Sequence, residues 1–539
     1  MMQLLRKTMR NGSATTILAL LMGLGGVGIA AAGTRPASSP PQRSAPPAQR
    51  SAPPASRPAA QPARPSGGGG YGGGARPSNT NGGGGSRYTT APGGGSHPGS
   101  TTGGGSHYTT TTGGGSHFTT NSGGSHTGTA PGGNSHPTTQ LKSAGAPKGS
   151  NAQVTKSGSM VRTRANGKPS DVHDAKTGTN VHHGLNGNRR VSVNHPDHSR
   201  VVSEKGRAGY VQHPYKYHGH DLGRRTYSYH GHAYSHDYYG YGFRGMYLDV
   251  YAPGLYFNPY FYGWAYNPWA MPIAFGWGWG GSPWFGYYGY YFTPYDSYPS
   301  ASYWLTDYMI SEDLQADYAA QQDAGEVDGA APAAGGPPEL TPEVKQQIAD
   351  EVRTQLALEN QEAQQNANNQ DVDPGSSSVD RMFADAGKGK PHILVAGAPL
   401  DVVDSSGTEC SLSDGDVLAL RTAPATDAKA ADVVVLASKG GQECQKQATV
   451  SIALDDLQEM QNSMRAIIDQ GLQELQAKQG TGGLPAEPAS AKTAPAQAQY
   501  DAIAPPPDPN ADSAIQQQAQ QGDQAEKDVT TEASKGGGQ

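Results

Sequence analysis

The residues with chemistry to offer are two cysteines, a scatter of histidines and a dense run of phenol and indole rings. Cys410 and Cys444 are the only thiols. Neither belongs to a CxxC pair, and two thiols alone make a poor metal site. In an exported chain, an even pair within one small segment reads as a disulfide. Closing that loop contributes roughly 4 kcal/mol in the chain-entropy model.

Two groups of histidines stand out. His97, His107, His117, His126 and His136 mark a repeat of the type GGGSHPGSTT, GGGSHYTTTT, GGGSHFTTNS. Neutral imidazole is a good ligand, but the spacing is unlike a closed site and Gly-rich chain carries a large ordering entropy. His218, His220, His230, His232 and His236 form the second group. Two histidines spaced HxH on a strand share a face, yet here Gly219 and Gly231 sit between them at expected hairpin tips. We therefore expect no metal and no cofactor. GWGWGG (Gly276 to Gly281) matches GxGxxG only formally, since it neither follows a strand nor opens a helix. GxSxG, HExxH and a Walker A loop are absent. The expectation is a protein without enzymatic activity; a hydrolase assembled from His and Asp of the β-rich part is the last alternative.

Residues 210–308 hold 23 of the 28 Tyr, all six Trp and six of the eight Phe, and no charge occurs between Asp249 and Asp296. Tyr262, Trp264, Trp269, Trp277, Trp279 and Trp284 are the candidate binding residues. Three readings of the run compete: the core of a neighbouring sheet, a surface for self-association or for stacking on sugar rings, and a membrane-interface belt.

The surrounding chain has to position these groups, and much of it is low in complexity. Of 539 residues, 75 are Gly and 41 Pro, with 35% hydrophobic and 16% charged. Long tracts of this kind bury too little apolar surface to offset their ordering entropy, which argues against one large globular enzyme. Net charge is -6, but it is unevenly spread. Gly33 to Gly245 carries 23 Lys/Arg against 6 Asp/Glu, a net of +17; Met246 to Gln539 carries 14 against 40, a net of -26. Such polarity points to a basic arm that meets a polyanion and an acidic part that stays in solution.

Arg6, Lys7 and Arg10, followed by an apolar run to Ala32, read as an export signal cleaved near Gly33. The organisation expected after the signal (1–32) runs as follows. A disordered basic arm, first Pro-rich and then Gly/Ser/His repeats, spans 33–153. A β-hairpin-rich basic region (154–250) has turns at Asn166-Gly167, Asn186-Gly187, Lys205-Gly206 and the X-Gly pairs ending at Gly219, Gly231 and Gly245. An aromatic region (251–322) ends in a short helix over Ser302–Tyr318, and a linker covers 323–340. An amphipathic helix (341–364) has a Thr341-Pro342 start and a stripe of Val344, Ile348, Val352 and Leu356. After a linker (365–385) comes a small β domain with a helix (386–479), in which Asp455 and Gln458 are spaced like a capping box. The tail, 480–539, reads as disordered. The fold class is thus mostly disordered low-complexity chain plus antiparallel hairpins and a small disulfide-linked β barrel or sandwich with one amphipathic helix. Beyond the signal no helical membrane span is expected.

The strings GYVQHPYKYHGH, RTYSYHG, YLDVYAP, FYGWAYNPW, FGYYGYYFTPY and YPSASYWLTDYMIS resemble a group of uncharacterised exported Tyr/Trp-rich bacterial proteins of acidobacterial and proteobacterial type. The resemblance spans roughly residues 160 to 320. It implies export and assigns no activity. The functional expectation is an exported structural or binding protein of the periplasm, outer envelope or extracellular space, tethered by its basic arm to an anionic envelope polymer or polysaccharide. Self-association is a further expectation, and no specific nucleic-acid partner is expected. The alternative is a secreted glycan-binding protein using the Tyr/Trp-rich segment.

Overall fold

The computed structural model describes residues 146–325 and 339–536. The expected signal, nearly all of the basic arm with its five repeat histidines, and most of the first linker lie outside the described residues.

Ten strands follow one another as a consecutive antiparallel meander: β1 Asn151–Val154, β2 Met160–Thr163, β3 Pro169–Asp174, β4 Thr179–His183, β5 Arg189–Asn194, β6 Arg200–Glu204, β7 Gly209–Tyr217, β8 His220–Tyr229, β9 His232–Phe243 and β10 Met246–Ala252. The first strand begins inside the segment expected to be disordered arm. Short turns set the register. At His218-Gly219, His230-Gly231 and Arg244-Gly245 both residues have positive φ, the geometry of a two-residue turn whose twist matches the strands it joins.

Period-two alternation gives the meander two unlike faces. On one face Val161, Val172, Val181 and Val191 are successive cross-strand partners, all buried. The last helix, α7 (Ala511–Gly536), lies over them with Val529 and Ala533, while Ala511 and Ile515 reach Val211. A Cβ on Gly522 would sit 2.6 Å from a Val191 methyl, so the helix axis is pressed against the sheet. This corrects the expectation of a disordered tail over 480–539. The helix has too few apolar residues to be stable alone, and the sheet supplies the surface that stabilises it.

The chain then passes through β11 (Leu255–Tyr256) into two short helices, α1 (Pro259–Tyr266) and α2 (Pro283–Tyr287). Helix α3 (Ala301–Ala324) is longer than the 17-residue helix expected, because burial of Trp304, Leu305, Met309, Ile310 and Leu314 continues the packing. Helix α4 (Pro342–Ala367) starts as expected, with the Thr341 hydroxyl accepting from the Val344 N–H and the expected stripe buried. The second linker is partly helical instead, since Ser378 caps α5 (Val379–Ala386).

Strands β12 (His392–Val395), β13 (Leu400–Asp404), β14 (Glu409–Leu412), β15 (Val417–Leu420), β16 (Ala430–Ala437) and β17 (Thr449–Ala453) make a second sheet in the order β12-β15-β16-β17-β13-β14, antiparallel throughout. The expected barrel or sandwich is not formed. The sheet stays open, with β12 and β14 at opposite edges; α4 and the long helix α6 (Leu454–Lys478) pack against it, so no second sheet is needed. The Cys410–Cys444 disulfide is present and ties β14 to the segment after β16. Helix α6 buries Leu457, Met460, Met464, Ile468, Leu472 and Leu475 as expected. Its cap differs: Ala453 is the N-cap, and Gln458 turns to the Val379 N–H. A two-residue strand, β18 (Ala496–Gln497), pairs with β11.

One apolar core runs without a break from Tyr217 and Leu222 through the aromatic segment and the second sheet to Tyr500. Most aromatic rings belong to it. Tyr288, Tyr291, Phe292, Tyr298 and Trp304 are fully buried, and Trp279, Trp277, Trp304 and Tyr308 stack as a column with centroids 4.4, 4.7 and 5.4 Å apart.

Candidate functional site

The second face of the meander carries charge where an ordinary sheet carries aliphatic groups. Arg162, Asp171, His182, Arg190 and Glu204 are successive cross-strand neighbours, as are Arg200, Gln212, Arg225 and His236. Arg225 is almost completely buried. Its guanidinium donates to Gln212 Oε1 at 2.8 Å, to Asp249 Oδ2 at 2.8 Å and to both Glu459 oxygens at 2.7 and 2.9 Å. Tyr238 and Tyr210 flank its plane, with ring centroids 3.9 and 4.7 Å from Cζ. Burial would push the Glu459 carboxyl up, but Arg225 holds it down at about 2. Half-buried His236, opposite Arg225 on the neighbouring strand, is lowered to about 4 by desolvation and by the guanidinium charge.

A second junction pins β13 and β14 to the meander. Asp401 Oδ2 accepts from Arg164 at 2.7 Å and from the Leu185 N–H at 3.0 Å, and lies 3.3 Å from His182 Nε2. Asp171 holds the other ring nitrogen at 2.7 Å. Burial opposes protonation of His182, yet its two carboxylate partners raise it to about 9. The third junction is Arg207 on Asp414, at 2.6 Å, next to Lys439 on Asp416 at 2.9 Å. Here burial dominates and Asp416 rises to about 8.

The edge of the sheet is closed by the same means. A buried edge strand leaves backbone groups without partners unless something pairs with them. The Asn462 carboxamide does this for β10, accepting from the Tyr251 N–H at 2.8 Å and donating to the Asp249 carbonyl at 2.7 Å. Arg465 adds a bond to the Tyr251 carbonyl at 3.1 Å.

These clusters consume their own chemistry. Each strong donor meets a carboxylate from another element, so the groups fix how the elements dock. Among the described residues, no group of three or more His, Cys, Asp or Glu is placed to hold a metal ion. His218 instead contacts Asp371, in the loop after α4, at 2.7 Å, and His230 contacts Asp323 of α3 at 3.3 Å. A cavity lined in part by Gln355, Ser377, His392 and Gln461 encloses about 20 Å³, room for one water and no substrate.

The six aromatic candidates divide. Tyr262 and Trp284 are 1% and 3% exposed and Trp269 is 9% exposed, so these three belong to the core. Trp264, Trp277 and Trp279 are half-buried. The exposed large side chains of this stretch lie outside the candidate set: Tyr260, Tyr266 and Met271 are 64%, 40% and 69% exposed. The charge-lined seam was missed altogether, because inward-facing polar residues on a strand have the same spacing as outward-facing ones. One signal was present: adjacent Arg224 and Arg225 must point to opposite faces, so at least one charge is buried if both faces are covered.

The fold and its seam define a class: a consecutive antiparallel meander, capped by a helix on one face and locked by paired charges to a second sheet on the other. Comparison with family models, with curated proteins and with solved structures finds no match for the chain.

Proposed function

We propose that this protein is an exported, non-enzymatic structural or binding protein of the cell envelope or extracellular space, tethered through its basic N-terminal arm to an anionic envelope polymer. The observation that carries the reading is the inward turning of the ionisable groups. Arg225, His182, Arg207 and Lys439 all spend their charge between elements. Among the described residues, these charges serve to hold one element against another. The disulfide suits an oxidising compartment, and no helix among the described residues is long and apolar enough to cross a membrane. Fractionation of native cells with a salt series on the envelope pellet tests it. Release at moderate salt is expected, because contacts between exposed charges are screened. Recovery only in the secreted fraction overturns the tether.

A second reading, a glycan-binding role, is favoured by the exposed Tyr260, Tyr266 and Met271 and the half-buried Trp264, all within a stretch of sequence free of charge. Stacking on neutral sugar survives salt, so retention on polysaccharide at high salt, lost in Tyr260→Ala, separates it from the tether.

A further inference from the structure

Lys345 and Asp307 form a pair unlike the other buried ion pairs. Asp307 lies near the start of α3 and Lys345 in the first turn of α4. Lys345 Nζ is 2.6 Å from Asp307 Oδ1, with side chains 4% and 0% exposed. At that distance Nζ is in direct contact with the carboxyl group. The surroundings are aromatic: the Tyr295 centroid is 3.7 Å from Nζ and that of Phe292 5.1 Å. Nζ donates to the Thr293 carbonyl at 2.7 Å, which helps to fix its position. Asp307 Oδ2 accepts from the Tyr295 N–H at 2.6 Å and the Tyr298 O–H at 2.8 Å.

Contrast sharpens the case. The cations of the other buried junctions are guanidiniums, which are not nucleophiles, the His182 imidazole, which two carboxylates hold protonated, and Lys439, which several carboxylates hold firmly charged. At Lys345 burial pulls the amine down, and at Asp307 burial pushes the carboxyl up, both despite their mutual attraction. Each group leans toward the neutral form, the state in which an amine is a nucleophile and a carboxyl can be acylated.

We propose that Lys345 and Asp307 are joined by a covalent amide formed within the folded chain. The proton passes from the ammonium to the carboxylate, leaving a neutral amine against a carboxylic acid. The amine lone pair forms the Nζ–Cγ bond. The negative charge of the tetrahedral intermediate settles on Oδ2, where the Tyr295 N–H and Tyr298 O–H already point. The Cγ–Oδ1 bond breaks, Oδ1 takes a second amine proton, and it leaves as water. The reaction needs no oxidant, reductant or cofactor. The link joins α3 to α4 across 38 positions (345 − 307) and, unlike the disulfide, resists reduction.

The test is mass spectrometry of the purified full-length protein, intact and after proteolysis under reducing, denaturing conditions. The expected result is an intact mass one water below that of the disulfide-bonded sequence, with a branched peptide joining the Lys345 and Asp307 segments. Lys345→Arg keeps the charge but removes the nucleophile, and its mass returns to the sequence value. Two separate linear peptides in a wild-type protein whose Cys410–Cys444 bond has formed would overturn the proposal. So would a water loss that maps to any other pair. The wild-type peptide map decides the matter even if the variant misfolds.

Discussion

The ten-stranded meander and the six-stranded sheet are both antiparallel, yet they are filled by different side chains. In the second sheet Ile393, Leu394, Val417, Leu418, Val433, Val435, Val450 and Ile452 are all buried, on strands that read as near-continuous apolar runs. In the meander one face is a valine row and the other a lattice of Arg, Asp, Glu, His and Gln. Apolar burial is non-directional and rewards any close packing. A buried ion pair is worth little against an apolar pair of the same shape, but breaking one partner leaves an uncompensated charge. In this protein the seam accordingly sets where α6, β13 and β14 dock on the meander, and the aromatic and aliphatic core supplies the bulk of the stability.

The sharpest way to break this comparison is to remove one cation from the seam. Arg225→Met leaves Asp249 buried without its main partner and is expected to cost about 3–5 kcal/mol in urea unfolding. A cost near zero would mean that the charges merely tolerate burial. Next comes the covalent staple of the apolar sheet. Replacing Cys410 and Cys444 together by Ser is expected to cost about 2–4 kcal/mol, without salt dependence.

The third prediction uses pH. His182 is raised to about 9 from an ordinary value near 6.5, so its stabilising effect is full below the lower value and is lost as pH rises through the upper one. That amounts to about 3 kcal/mol at most. His182→Gln should flatten this part of the alkaline decline in the urea midpoint, while a Leu418→Ala control in the second sheet shifts the curve without changing its shape. The smallest effect concerns the meander's other face. Gly522→Ala forces a methyl against Val191 and is expected to cost about 1–3 kcal/mol. Amide exchange should then rise in α7 before it rises in the second sheet.

Much of the meander was legible locally. The His-Gly and Arg-Gly pairs mark two-residue turns, the Asn-Gly pairs mark longer turns with Gly at positive φ, and Val-Ser-Val marks a strand with one apolar face. The six-stranded sheet was legible in five of its strands for the opposite reason, their near-continuous apolar runs. Strand β14 was overlooked because Glu409-Cys410-Ser411-Leu412 has neither pattern. Helix α7 was hidden by composition, since its Gln, Asp and Ala content resembles a solvated tail until a sheet is laid against it.

Turn chemistry, strand alternation, helix caps at Thr341 and the pairing of two lone cysteines follow from the sequence by itself, because each depends on neighbours a few residues apart or on a simple count. The fate of the aromatic rings, the inward turn of Arg225 and His182, the closure of β10 by Asn462 and the contact of Lys345 with Asp307 were decided only by the tertiary structure. Each of these joins residues far apart in the chain, and whether a polar side chain meets water or a partner depends on what covers its face. That information lies in packing between elements, which no local pattern carries.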